Sequence, residues 1–182
     1  MGVKLVSSGG GSVEINPPAT ASSFVATMPA KTGNVMLDGP AFSAFRSTTN
    51  QSITAGVTTK VALNGETFDT NNNFDPTTNY RFTPTVEGYY SVYGQIYHGA
   101  TVTRASAATT SIFKNGSNVA TGDVNIATAN QLTLAINVSA LVYMNGTTDY
   151  LELYGSQTGG SGNVFLAGSQ FTYFSAFLAR GA

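Results

Sequence analysis

Few side chains of this chain are equipped for catalysis. Its single histidine, His98, ends an aromatic run and is the one group whose ordinary pKa falls near neutrality. A hydrolytic triad needs such a base aimed at a hydroxyl and oriented by an acid. No Ser or Asp stands beside His98 at a telling spacing, so it is expected at the surface or at an interface. Asp69 and Asp75 flank Asn71-Asn72-Asn73, an oxygen-rich stretch of the kind that holds hard cations. The spacing of a calcium loop is missing, and Asn and Asp favour turns through their own local hydrogen bonds, so no bound metal is expected. Asp149 and Glu152 sit among aromatics, but glycoside hydrolysis needs two acids across one bond, and no second acid is placed to face Glu152. Gly9-Gly10-Gly11-Ser12 lacks the Lys-Ser/Thr that completes a phosphate loop. The chain has no cysteine, which removes thiol chemistry, disulfides and zinc-thiolate sites. The expected protein is not an enzyme and carries no cofactor.

The scaffold around these residues reads as β throughout. No apolar stripe of helical period survives ten residues, whereas Asp38-Gly39-Pro40, Asn64-Gly65, Asn115-Gly116, Asn145-Gly146 and Gly159-Gly160-Ser161-Gly162 punctuate short β-prone runs. Ile112-Phe113-Lys114 and Val119-Ala120 are the expected arms of a hairpin around Asn115-Gly116. Arg104 and Ala105-Ser106-Ala107-Ala108 read as a small-residue loop suited to an exposed tip. Charged residues are 9% of the 182, with a net charge of −1. That balance gives no basic face with which to displace counterions, so nucleic acid is not an expected partner. No apolar stretch is long enough to span a membrane, and no long apolar run follows Met1, so membrane insertion and the usual secretory route are not expected. Residues 1–39 contain only short extended pieces divided by Gly and Pro, and form an expected attachment and trimerisation segment. Its alternating Val13, Ile15, Phe24 and Met28 would turn an apolar side toward another chain. Residues 40–182 form the expected single large domain.

Alternation says which strands are covered on both faces. Over 132–142, Leu132, Leu134, Ile136, Val138, Ala140 and Val142 share one parity against mostly polar neighbours, as in a strand with one face in water. Three segments do not alternate in this way. Tyr89, Tyr93 and Tyr97 oppose Tyr90, Val92 and Ile96; Tyr150 and Tyr154 oppose Leu151 and Leu153; Phe171, Tyr173 and Phe177 oppose Phe174, Ala176 and Leu178. One cover is a sandwich core. The other is expected to be a second copy, because this many aromatics exceed the apolar patch a monomer ordinarily exposes, and tyrosine suits an interface.

The order of these features resembles the globular head of complement component q and the related tumour necrosis factor jelly rolls. The resemblance runs over 40–182 and is carried by Pro40-Ala41-Phe42-Ser43-Ala44-Phe45, Phe68-Asp69 with Phe74-Asp75, Tyr80-Arg81-Phe82-Thr83-Pro84 with Gly88-Tyr89-Tyr90, Phe113-Lys114-Asn115-Gly116, Asp149-Tyr150-Leu151-Glu152-Leu153 and Phe174-Ser175-Ala176-Phe177-Leu178. It implies an all-β, ten-stranded antiparallel jelly roll that forms a homotrimer through its inner sheet. The contact would hold Tyr89, Tyr93, Tyr97, Tyr150, Tyr154, Tyr173 and Phe177, with Glu152 near its symmetry copies.

Residues 8–22 and 28–35 resemble a short element of tailed-phage fibre and appendage proteins. Together the two resemblances imply a trimeric virion knob, made in the host bacterial cytoplasm. It would be joined to other virion proteins through residues 1–39 and would touch a host surface glycan or protein. The alternatives are a free bacterial binding module of the complement-q type, with an adhesin or lectin role, and a glycan depolymerase.

Overall fold

The computed structural model describes residues 3–15, 39–103, 105–125 and 133–182. The chain divides into two compact units, Met1–Gly33 and Asn34–Ala182. In the first, β1 (Val3–Val6) and β2 (Ser12–Ile15) pair as an antiparallel hairpin in which Lys4 faces Glu14 and Leu5 faces Val13. The Gly/Ser tract is its turn: Ser7 N–H donates to Gly11 O at 2.8 Å, and Gly10 N–H donates to Ser7 O at 3.1 Å. Leu5, Val6 and Val13 are all exposed. The side chain of Ile15, and Phe24 and Met28 altogether, lie outside the described residues, as do most of the positions that carry the phage-fibre resemblance.

The second unit is an all-β antiparallel sandwich with no helix among the described residues. One sheet is built on β13 (Leu151–Thr158). It runs through β11 (Ser117–Asn125), β10 (Ala107–Lys114), β13, β8 (Arg81–Phe82) and β7 (Phe74–Asp75), with β5 (Thr59–Lys60) also on β13. The other is built on the long strand β9 (Glu87–Thr103). Its order is β4 (Gln51–Ser52), β14 (Ser161–Phe165), β9, β15 (Tyr173–Gly181), β3 (Ala41–Phe45) and β6 (Gly65–Asp69), with β12 (Thr133–Asn145) on the opposite side of β9. The two-residue pairings β4, β5, β7 and β8 carry the strand count past ten.

Local chemistry explains the key turns. Asn115 and Gly116 take φ of 52° and 78°, the two left-handed positions that a tight hairpin needs, and Lys114 faces Ser117 across them. The expected hairpin is therefore present, with one bulge between Ile112 and Phe113. Inside the sandwich, Phe42 stacks between Phe74 and Phe82 with centroids 4.9 and 4.4 Å away, and Phe174 meets it edge-on. Tyr90 is fully buried, and its hydroxyl reaches Val86 O at 2.8 Å. β12 alternates as its sequence foretold: Ile136, Val138, Val142 and Met144 are buried, while Leu141 is 66% exposed.

The sheets also meet backbone to backbone at one edge, where β11 crosses β12. A Cβ on Gly122 would stand only 2.2 Å from Asn137 O. Glycine is required there for lack of space.

Candidate functional site

The β9 sheet has one face in the core and one turned outward, and the outward face is aromatic. Register sets its layout. Tyr93 lies between Ser139 of β12 and Ser175 of β15, while Tyr89 faces Tyr143 and Gln95 faces Tyr173. Phe177 and Leu141 flank Ser91 from opposite sides. The rings associate in pairs: Tyr93 with Tyr173 at 5.6 Å, Tyr89 with Tyr143 at 5.5 Å, and Tyr97 with Phe171 at 5.1 Å. Gln95 braces this last region, its amide donating to Phe171 O at 2.9 Å. Burial, together with the Tyr173 hydroxyl, pushes the Tyr93 phenol up to about 12, so it stays a neutral hydroxyl at any ordinary pH. The hydrogen bond to Glu87 raises Tyr143 as well.

The apolar surface here is large. Phe177 is 55% exposed and Leu141 66%; Phe68, Tyr89 and Tyr143 are exposed too. An apolar, hydroxyl-bearing face of this kind is suited to being covered by a partner surface.

Of the seven side chains expected at a trimer contact, five share this face: Tyr89, Tyr93, Tyr97, Tyr173 and Phe177. Tyr150 and Tyr154 do not. β13 belongs to the opposite sheet, and its outer face is covered within the chain. Arg81 lies over the Tyr150 ring at 4.5 Å, and Phe113 packs on Tyr154 at 4.2 Å. Glu152, expected near its symmetry copies, is instead buried beneath this layer and pairs with Lys60 at 2.8 Å. Charged side chains with long apolar stems thus supply the second cover that the aromatic pattern required.

Lys60→Met strands a carboxylate that is 4% exposed and should cost about 2 kcal/mol, less than a fully buried pair because Lys60 is partly solvated. Lys60→Met combined with Glu152→Leu should recover most of the loss. Urea denaturation of the single and double variants measures both.

The remaining candidates are structural. Asp75 accepts from the backbone amides of Thr77, Thr78 and Asn79, and these bonds hold its carboxyl far below the usual carboxylate range. Asp69 accepts from Asn71 and Phe74 amides at 3.2 and 2.7 Å. Both acids are turn caps, the role their Asn-rich surroundings suggested. Asp149 is held by Lys114 at 2.7 Å and by Asn115, and among the described residues no group of three His, Cys, Asp or Glu converges on a metal position.

The expected tip at 105–108 is not a loose loop: Ala105 and Ala108 are buried, and β10 begins at Ala107. Arg104 lies outside the described residues. His98 is likewise not at the surface. It is 3% exposed, between the sheets, with its Nε2 at 3.1 Å from Thr110 Oγ1. Its parity already said so, since it continues the buried series Tyr90, Val92, Ile96.

The architecture has solved counterparts. The globular domain of zebrafish complement 1qA protein is similar with a TM-score of 0.56 at 17% identity, covering 79% of this chain and 99% of that one. The architecture the two share is an antiparallel jelly roll. Murine APRIL is similar with a TM-score of 0.58 at 7% identity over 78% of this chain and 99% of that one. Eiger TNF from S. frugiperda gives 0.59 at 10% identity over 79% and 94%. No family model matches the chain, and no curated protein sequence does.

Proposed function

We propose that this chain is a non-catalytic binding head that works as a homotrimer, closed over the outward face of the β9 sheet. The observation that carries this reading is the continuity of that face: Phe68, Tyr89, Leu141, Tyr143 and Phe177 are all exposed on one side of one sheet. A monomer rarely shows an apolar patch of that extent without a partner. Trimerisation, with recognition by loops repeated three times, lets weak contacts multiply through avidity. Three-fold symmetry is what the resemblance to complement-q heads implies. Among the described residues, Asp69 and Asp75 cap turns, Asp149 and Glu152 sit in ion pairs, and His98 lies in the core.

Hydroxyl-radical footprinting of the full chain tests this. Phe177, Tyr89 and Leu141 should be protected at high concentration and gain reactivity on dilution. Tyr150 and Phe113, on the other sheet, should not change. Equal reactivity of both groups at every concentration would overturn the assignment.

The finer reading places the head on a virion, as an appendage to a tail or capsid docked through residues 1–39. Its supports are the fibre-like sequence of residues 8–22 and 28–35 and the exposed Leu5, Val6 and Val13 of the first hairpin, which invite a covering chain. Mass spectrometry of purified particles decides it: the chain present in stoichiometric amount supports an appendage, and its absence leaves a free binding module of the complement-q type.

A further inference from the structure

One end of the sandwich is closed by a flap. β4 and β14 pair with each other and lie on the distal part of β9, where Phe165 faces His98 and Val164 faces Gly99. The adjoining loop ties this flap to the opposite sheet, with Ile53 N–H donating to Asn163 O of β14 at 3.0 Å and Gly56 N–H to Gln157 O of β13 at 2.7 Å. Behind the flap is a polar cluster that laces the two sheets together. His98 meets Thr110 of β10, and the Gln157 amide of β13 donates to both Gly99 O at 3.2 Å and Val164 O at 3.0 Å. Phe165 presents its ring edge-on to His98 at 5.4 Å. Two buried atoms in this region lack partners: His98 Nδ1 and Asn163 Oδ1.

Among the described residues, no charge faces the imidazole here. On the register, β10 offers Ala108 and Thr110, β13 offers Gly155 and Gln157, β14 offers Asn163 and Phe165, and β12 offers Leu134 and Ile136. None of these ionises. The acids of these and adjoining strands face away: Glu152 lies on the outer side with Lys60, and Asp123 is exposed beside Thr109. Glu87 is at the far end of β9.

We propose that His98 is an acid-operated latch, whose protonation lifts β14, with β4 and the loop between Ile53 and Thr58, away from β9 and from Gln157 of β13 while the rest of the sandwich stays folded. Opening is confined to this end because the flap strands are short. The proximal part of β9, in contrast, is flanked along its length by β12 and β15. Neutral imidazole fits the closed form. Burial lowers its pKa to about 4 from an ordinary 6.5, and opening returns it to water. The closed form therefore has its full advantage above pH 6.5 and loses it as pH falls toward 4: by about 30-fold at pH 5 and about 150-fold at pH 4.

Because His98 is the chain's single histidine, its imidazole resonances need no assignment and can be titrated in the native full-length protein. Hydrogen exchange of β14 and β15 amides, corrected for the intrinsic pH dependence of exchange, is followed in parallel between pH 7 and pH 4. The expected result is a midpoint well below 6.5, with β14 protection falling tens-fold between pH 7 and pH 5 while β15 stays protected. In His98→Gln, which keeps an amide donor toward Thr110, β14 protection should no longer depend on pH. Titration at 6.5 or above, β14 protection that is flat with pH, or β14 and β15 opening together would each overturn the latch. So would an unchanged pH profile in a folded His98→Gln. If that variant does not fold, the two measurements on the native protein decide alone.

Discussion

Phe177→Asp should convert the native assembly into folded monomers. In a single copy Phe177 is 55% exposed, and a substitution at such a site ordinarily changes stability by no more than about 0.5 kcal/mol. In the proposed trimer the same change places an unpaired carboxylate in an apolar contact of every copy. Burying such a charge costs several kcal/mol, and each chain incurs it. The two effects separate cleanly: near-native circular dichroism and melting of the isolated fold, with association lost at micromolar concentration. Tyr93→Asp should dissociate the assembly too, but with some loss of fold stability, because Tyr93 is half-buried against Tyr173. Tyr150→Asp is the control. It lies on the other sheet beneath Arg81, where a carboxylate gains a cation, and it should leave association unchanged. Sedimentation velocity on the three variants distinguishes these outcomes. A Phe177→Asp protein that associates like the native one would remove that side chain from the contact.

Gly122→Val should be severely damaging within the fold. The new Cβ would stand 2.2 Å from the Asn137 carbonyl oxygen, and the obstacle is backbone with no rotamer to move aside. Relief requires β11 to lift from β12, which opens the sandwich edge over Ile136 and Val138. Overpacking commonly costs 1–3 kcal/mol where side chains yield, so about 3 kcal/mol or more is expected here. In a domain of this size that is a fall in Tm of roughly 10 °C. Gly181→Ala, where an added Cβ meets nothing within 4 Å, should melt like the native protein. Thermal unfolding of the pair checks the reasoning, and equal melting temperatures would show that the edge adapts.

Much of the fold was legible because period-two alternation and turn chemistry are local. The parities of 89–97, 132–142 and 171–178 sorted core from outward side chains, and Asn115-Gly116 fixed its hairpin. Extended one step beyond Ile96, the same parity reaches His98; the expectation of a surface or interface histidine missed this, because a lone histidine reads as a surface residue unless its neighbours' burial is applied to it. The β13 strand was harder. Tyr150, Glu152 and Tyr154 asked for a second cover, and nothing local says that it comes from Arg81 and from Lys60, a residue 92 positions from its partner. Partners that distant become visible only once the sheet order brings β5 and β8 onto β13. The aromatic positions accordingly divide between two sheets, and those of the β9 sheet lie on its outward face.

The central claim is that the outward face of the β9 sheet persists in water because sister copies cover it. Multi-angle light scattering of the full-length protein across a dilution series measures this directly. The expected mass is three times that of the 18.9 kDa chain, held down to low micromolar concentration. A mass of one chain at every concentration, with the protein folded, would contradict it.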